Sequence, residues 1–235
     1  MNQMTKPPVV LFDVGSYTAQ EAARLLQTPA RNIRRWMRGY GHSVDGEIRQ
    51  VPPLWDSQLP SAENHVEIGF RDLIELRFVK AFLDAGIGLK TVRHCLEHAR
   101  ECVGVDHPFS TRRFQMDGRT ICLESIERSG DREGFLDLKT RQYELKKVIE
   151  KSFRDLDLDD TVVARWRPFQ GKSTIVIDPS RSFGQPIAAE FGVPTVALSD
   201  AVNAEGSIEK VSGLFDIPAL IVRDAVKFEE SLEAA

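Results

Sequence analysis

Two helix starts set close together, at Thr18 and at Thr28-Pro29, leave room only for a pair of short helices joined by a tight turn. Thr18-Ala-Gln-Glu21 reads as a capping box, in which the threonine hydroxyl accepts from the N–H three residues on and Glu21 reaches back to the cap. Ala22, Leu25 and Leu26 then share one face, with Tyr17 placed to staple against Ala22. Gln27-Thr28-Pro29 breaks this helix and opens another: Thr28 can cap, and Pro29 suits a first helical position that needs no N–H. The second helix, Pro29 to Arg38, sets Ile33, Trp36 and Met37 on one face and Arg31, Arg34, Arg35 and Arg38 on the other.

After Gly39, alternating residues around Asp45-Gly46 predict a short hairpin, a wing behind the helix pair. Phe70 to Ala85 reads as a helix stopped by Gly86, and Leu89 to Val103 as the next. The first is apolar over much of its circumference and needs cover, from the rest of the chain or from a second copy. A second hairpin is expected about Asp117-Gly118, between Phe114 and Leu123, followed by a helix from Leu138 to Arg154. The acidic run 155–160 reads as a linker or boundary, with strands at Val162 to Trp166 and Thr174 to Ile177 and a turn-rich stretch to Pro194. Three helices close the chain, with Thr195 and Ser207 as caps of the first two, Gly206 between them and Pro218 opening the third. The expected fold is mainly α with small β-hairpins: a winged helix-turn-helix over 14–103, a middle segment over 104–170 and a trihelical, helix-turn-helix-like interaction domain over 171–232.

The arginine spacing i, i+3, i+4, i+7 aligns four guanidinium groups along a helix of a length that fits the DNA major groove. A guanidinium can grip a phosphate or pair with both acceptors of a guanine edge, and Asn32 is suited to adenine. Thr28, Arg31, Asn32, Arg34, Arg35, Arg38, His42 and Arg49 are therefore the candidate DNA-binding residues. Arg31, Asn32 and Arg35 are assigned nearest bases, Arg34 and Arg38 nearest phosphates, and His42 and Arg49 to backbone contacts from the wing. Charge supports this division: residues 1–50 carry +3, residues 51–170 carry −2 and residues 171–235 carry −5. The last helix holds Arg223 and Lys227 but also Asp224, Glu229, Glu230 and Glu233, a balance that repels phosphates and suits protein contacts. A homodimer on a two-fold operator is expected, with the 70–85 helix or the C-terminal domain as its interface.

The segment YTAQEAARLLQTPARNIRRWMRGY, a wing and RDLIELRFVKAFLDAGIGLKTVRHCLEHAR resemble the winged helix-turn-helix of MerR-type regulators over about residues 14–100. The later STIVIDPSRSFGQPIAAEFGVPTVALSDAVNAEGSIEKVSGLFDIPALIVRDAVKFEESL resembles a small helical domain of unassigned function found in antitoxins. Order and spacing over nearly the whole chain are similar to VapB-type antitoxins that join these two domains. The resemblance implies a cognate toxin, a PIN-like ribonuclease encoded next door, and repression of the shared operon through double-stranded operator DNA. VapB antitoxins more commonly carry a small ribbon DNA-binding domain and a short tail, so their usual neutralisation mode does not transfer to this chain.

Other chemistry finds less footing. Cys95, His98 and Cys102 at i, i+3 and i+7, with His94 at the edge and His107 able to fold back, are candidate ligands for zinc or copper. The simpler reading is small core residues; the alternative is a metal- or ligand-responsive, MerR-like transcriptional regulator. Cys122 reads as buried in the second hairpin, and Phe183-Gly-Gln-Pro186 as structural turns. No GxSxG, HExxH or phosphate-loop motif is present, so neither catalysis nor a cofactor is expected. With no leader-like start and no long apolar run, a cytoplasmic location without membrane contact is expected.

Overall fold

The computed structural model describes residues 14–44, 46–60, 66–129 and 138–233. The leaderless reading of the first residues, and Asp45 of the wing turn, lie outside these. The described chain is mainly helical with small antiparallel sheets, as expected. Strand β1 (Tyr17–Thr18) leads into helix α1 (Ala19–Leu26), and α2 (Ala30–Arg38) follows after the turn. The wing pairs β2 (Tyr40–Val44) with β3 (Glu47–Val51) in antiparallel register, His42 opposite Arg49. A short β4 (Glu67–Ile68) returns to pair with β1, Tyr17 opposite Ile68, and anchors the start of α3 (Phe70–Asp84) beside α1.

The capping box forms as read: Glu21 N–H donates to Thr18 Oγ1 at 3.2 Å and Thr18 N–H to Glu21 Oε2 at 2.7 Å. Thr28 does not cap α2. Pro29 occupies the cap position without a side-chain bond, and the Thr28 hydroxyl instead accepts from Asn32 Nδ2 at 3.4 Å.

Helix α3 is buried on nearly every side through Leu73, Ile74, Leu76, Phe78, Val79 and Phe82, against α1, α4 (Leu89–Val103) and helix 138–153. Of the two covers expected, its own chain supplies one, and a second copy is not needed for this helix. Two acids lie within this apolar helix. Asp72 accepts from Trp55 Nε1 at 2.7 Å, from the N–H groups of Gln58 and Gly69 at 3.0 Å each and from Ser57 Oγ at 3.2 Å, and pairs with His107 at 2.8 Å. One carboxylate thus ties the return from the wing to the start of α3 and to the loop after α4. Glu75 accepts from Ser110 N–H at 2.9 Å, while its Oε2 has no partner among the described residues. Burial raises its pKa to about 8, with the backbone donors at Ser110 and Phe109 opposing.

The expected hairpin at Phe114–Leu123 is instead part of helix α5 (Arg112–Ser129). Thr111 Oγ1 accepts from Phe114 N–H at 3.1 Å at its start, and the buried Phe114, Ile121, Cys122 and Ile126 follow helical spacing. Gly118 sits against the Phe114 ring, which a Cβ there would meet at 3.0 Å, a tight contact. Helix α6 (Leu138–Phe153) follows, and Phe78 gathers Phe109, Phe114 and Phe153 around it at ring separations of 5.0–6.0 Å.

The acidic run is not a linker. Strand β5 (Leu156–Asp159) pairs with β6 (Val162–Trp166), with Asp160 in a left-handed turn at φ 51°. Asp155 is held by Arg77 and by Trp166 Nε1, the latter at 2.9 Å. Strands β7 (Ile175–Ile177) and β8 (Pro186–Ala188) complete an antiparallel sheet ordered β5-β6-β7-β8, which runs across residue 170.

Three helices close the chain: α7 (Thr195–Glu205), α8 (Ile208–Phe215) and α9 (Ala219–Glu233). Ser207 caps α8 as expected, accepting from Lys210 N–H at 3.3 Å. Thr195 does not cap α7, because Pro194 holds that position; its hydroxyl donates to Glu229 instead. Phe169, Ile175, Leu198, Val211, Val222 and Phe228 form a core of their own, and Leu25 of α1 packs against both this core and the larger one.

Candidate nucleic-acid interface

The second helix of the pair is built to show one face. Ile33, Trp36 and Met37 are buried, which pins α2 to the core and turns Arg31, Arg34, Arg35 and Arg38 outward, all exposed. No acid lies in its first turn. The uncapped helix start adds the positive end of the helix dipole to the arginine charge, an arrangement suited to phosphate oxygens.

Arg35 does more than point outward. Its guanidinium stacks 3.9 Å from the centre of the Tyr40 ring, the first residue of the wing. This links α2 to the ribbon, where exposed His42 faces exposed Arg49 across the strands and its ring stands 6.0 Å from that of Tyr40. Asn32 is half-buried and donates one Nδ2 proton to Thr28, a contact compatible with offering its Oδ1 and second N–H to a base. The predicted residues therefore fall on one helix, the turn before it, which holds Thr28, and one adjoining ribbon.

Three supporting residues escaped the sequence reading. Gly39 ends α2 at φ +72°, and a Cβ there would lie 2.1 Å from the Val51 carbonyl oxygen, so only glycine lets the wing cross this close. Arg93 of α4 donates to the carbonyls of Pro53 and Pro52, both at 2.8 Å, and Leu54 N–H donates to Trp36 O at 2.8 Å. Together these fix the base of the wing against α2 and α4. A glycine directly after the arginine helix was a usable signal; the Arg93 contacts, some forty positions away, left none.

The metal candidates do not converge. Cys95 turns into α5, where its Sγ donates to the Cys122 carbonyl at 3.8 Å. Hydrogen bonding between these two reduced, buried side chains holds the Cys95 thiol below its usual pKa and, with burial, pushes that of Cys122 up. Cys122 is buried as expected, but on a helix. His98 Nε2 lies 3.1 Å from Glu124, and Cys102 Sγ 3.6 Å from the same nitrogen. His94 pairs with Glu97, and His107 folds back to Asp72 rather than to the cysteines. Among the described residues no three such side chains are set to hold a metal ion. No helix among them is long and apolar enough to cross a membrane.

The acidic balance of the last helix also changes once its contacts are known. Asp224 is buried and bound by Lys172 at 3.1 Å and Thr174 at 2.9 Å. Glu229 is buried between Thr195 and Arg24 of α1, the latter at 3.5 Å. These two acids brace the domain internally and against the helix pair; Arg223, Lys227, Glu230 and Glu233 are the ones that face solvent.

Residues 15–96, from β1 into α4, match the family described as "Putative DNA-binding HTH domain". Over 211 residues the chain is 26% identical to a Mycobacterium tuberculosis protein described as "Putative antitoxin VapB45", covering 86% of this chain and 88% of that one. The crystal structure of Rv2018 from the same organism shares the fold, with a TM-score of 0.70 and 23% identity over 92% of this chain and 99% of that one.

Proposed function

We propose that this chain is the antitoxin of a toxin–antitoxin pair and the repressor of its own operon. Its α2 helix and wing bind double-stranded operator DNA, and the protein neutralises a cognate toxin, a PIN-like ribonuclease. The observation that carries the DNA half is the acid-free arginine face of α2, held outward by the buried Ile33, Trp36 and Met37 within the segment that matches a DNA-binding family. The toxin half is supported by the likeness over 86% of the chain to a protein described as an antitoxin.

In this reading α2 enters the major groove with Arg31, Asn32 and Arg35 toward base edges and Arg34 and Arg38 on phosphates, while Thr28 supports Asn32. His42 and Arg49 follow the backbone from the wing. Tyr40 restricts the Arg35 guanidinium before DNA arrives, which lowers the ordering cost of binding. One short helix reads only a half-site, so the protein acts as a homodimer on a two-fold operator.

The test is joint. The tagged full chain is co-purified with the product of the adjacent reading frame, the complex is weighed in solution, and each partner is expressed alone and together for growth. A stable complex and rescue of growth are expected. A chain that binds neither this product nor DNA from upstream of its own gene overturns the proposal.

A further inference from the structure

The elbow between α8 and α9 exposes large apolar side chains that the fold does not use. Leu214 is 68% exposed, Phe215 39% and Leu220 60%, on either side of the turn from Asp216 to Pro218. That turn is fixed from within: Ile217 is buried, Ser212 Oγ donates to its carbonyl at 2.7 Å, and Ile217 N–H returns a bond to Ser212 O at 3.1 Å. Gly213 beside Leu214 has open space where a side chain would stand. Three large apolar side chains exposed between positions 214 and 220, across one fixed turn, give the elbow an apolar centre of the kind found at protein interfaces.

Two observations bear on the occupant. The first is position. Helix α9 meets α1 through its C-terminal end, where Glu229 takes Arg24 and the Ser231 carbonyl takes Gln27. Leu220 precedes Ser231 by eleven residues, about 16 Å along a helix. The elbow therefore lies at the end of α9 away from its contact with α1. The second is charge. The exposed charged groups of α7, α8 and the elbow are Asp200, Glu205, Glu209 and Asp216 against Lys210, whose ammonium is tied to the Glu205 carbonyl at 3.3 Å. On the α9 side Arg223 is exposed. A second copy on a two-fold axis sets this acidic flank against itself, whereas a basic surface is attracted to it.

We infer that the α8–α9 elbow is the docking surface for the toxin, a protein that offers an apolar pocket rimmed by lysine and arginine. The inference rests on the antitoxin reading above, and it gives a toxin–antitoxin–DNA complex in which both ends of the chain are engaged at once.

The experiment uses the full chain and the purified product of the adjacent reading frame. Affinity and complex mass are measured for wild type, for the double variant Leu214→Ser with Leu220→Ser, and for Glu205→Lys, which leaves every apolar contact in place. Thermal unfolding and operator binding report on the fold. The double variant is expected to keep wild-type unfolding and DNA affinity while losing roughly tenfold or more in toxin affinity. Glu205→Lys is expected to weaken toxin binding several-fold at low salt. Toxin binding that neither variant changes overturns the surface and leaves the antitoxin reading standing; a wild-type chain that binds no toxin overturns both. A double variant that falls from dimer to monomer with toxin affinity unchanged assigns the elbow to a second copy, and also overturns the inference.

Discussion

The Tyr17 hydroxyl donates to the Gly184 carbonyl at 2.7 Å, a buried bond spanning 167 positions that joins the entry to the helix pair to the C-terminal unit. Ser16 N–H donates to Phe183 O beside it at 3.1 Å, and Arg24 and Gln27 extend the seam along α1 to α9. Burial raises the Tyr17 pKa, so the phenol remains a donor at ordinary pH. Tyr17→Phe leaves a buried carbonyl without its donor and is expected to cost about 1–3 kcal/mol in urea unfolding. An unchanged midpoint would show that this bond adds nothing to the fold.

Glu75 predicts a pH dependence of stability. Below pH 4.5 folded and unfolded chains both hold its proton, and the group contributes no slope. Between pH 4.5 and about 8 the unfolded chain has released the proton and the folded chain keeps it, so stability falls as pH rises. The slope is about 1.4 kcal/mol per pH unit, and the loss levels off above the folded pKa. Glu75→Gln keeps an acceptor for Ser110 and removes the titration. The stability difference between variant and wild type is expected to grow in the variant's favour across that window, read by urea unfolding at each pH. A constant difference counts against a neutral Glu75 in the fold.

Where signals were local, the sequence told the fold well. Thr18 and Glu21 cap α1 because both partners sit within one turn, and the two faces of α2 follow from spacing alone. Asp117-Gly118 misled because a turn dipeptide also fits within a helix when an aromatic neighbour, Phe114, fills the space above the glycine. Leu156 and Leu158 alternate with aspartates, a strand pattern that the density of acid masked. Thr28 and Thr195 each adjoin a proline, and in both cases the proline takes the cap position while the threonine hydroxyl serves a side chain elsewhere. The arginine face of the candidate site was legible for the same local reason. Its supports, Arg93 on Pro52 and Pro53 and the seam to α9, join distant positions that no periodicity marks.

Tyr40 provides a finer test of the interface. Tyr40→Ala releases the Arg35 guanidinium without removing its charge, so DNA affinity is expected to fall a few-fold, in keeping with about 0.5–1 kcal/mol for such a contact. Phosphate contacts made by Arg34 persist, and the salt dependence stays close to that of wild type. A large loss of salt dependence would mean that Arg35 is itself a phosphate contact.

Gly39 tests how the wing is set on α2. Gly39→Ala places a methyl group 2.1 Å from a backbone oxygen at a left-handed φ, so the junction must shift. Reduced stability and weaker DNA binding are expected together, measured by thermal unfolding and by titration. Wild-type behaviour in both would show that the wing crossing has slack that the geometry denies.

The most direct test of the account is the affinity of the full chain for DNA from upstream of its own gene across a salt series, for wild type and for the variant with Arg31, Arg34, Arg35 and Arg38 all changed to alanine. The account predicts sequence-preferring, salt-sensitive binding that the fourfold variant loses while keeping its fold. Single changes at Arg34 and Arg38 should weaken all sequences alike and each reduce the salt slope by about 1. Binding by the fourfold variant as tight and as salt-dependent as that of wild type would contradict the assignment of α2 as the DNA-binding helix.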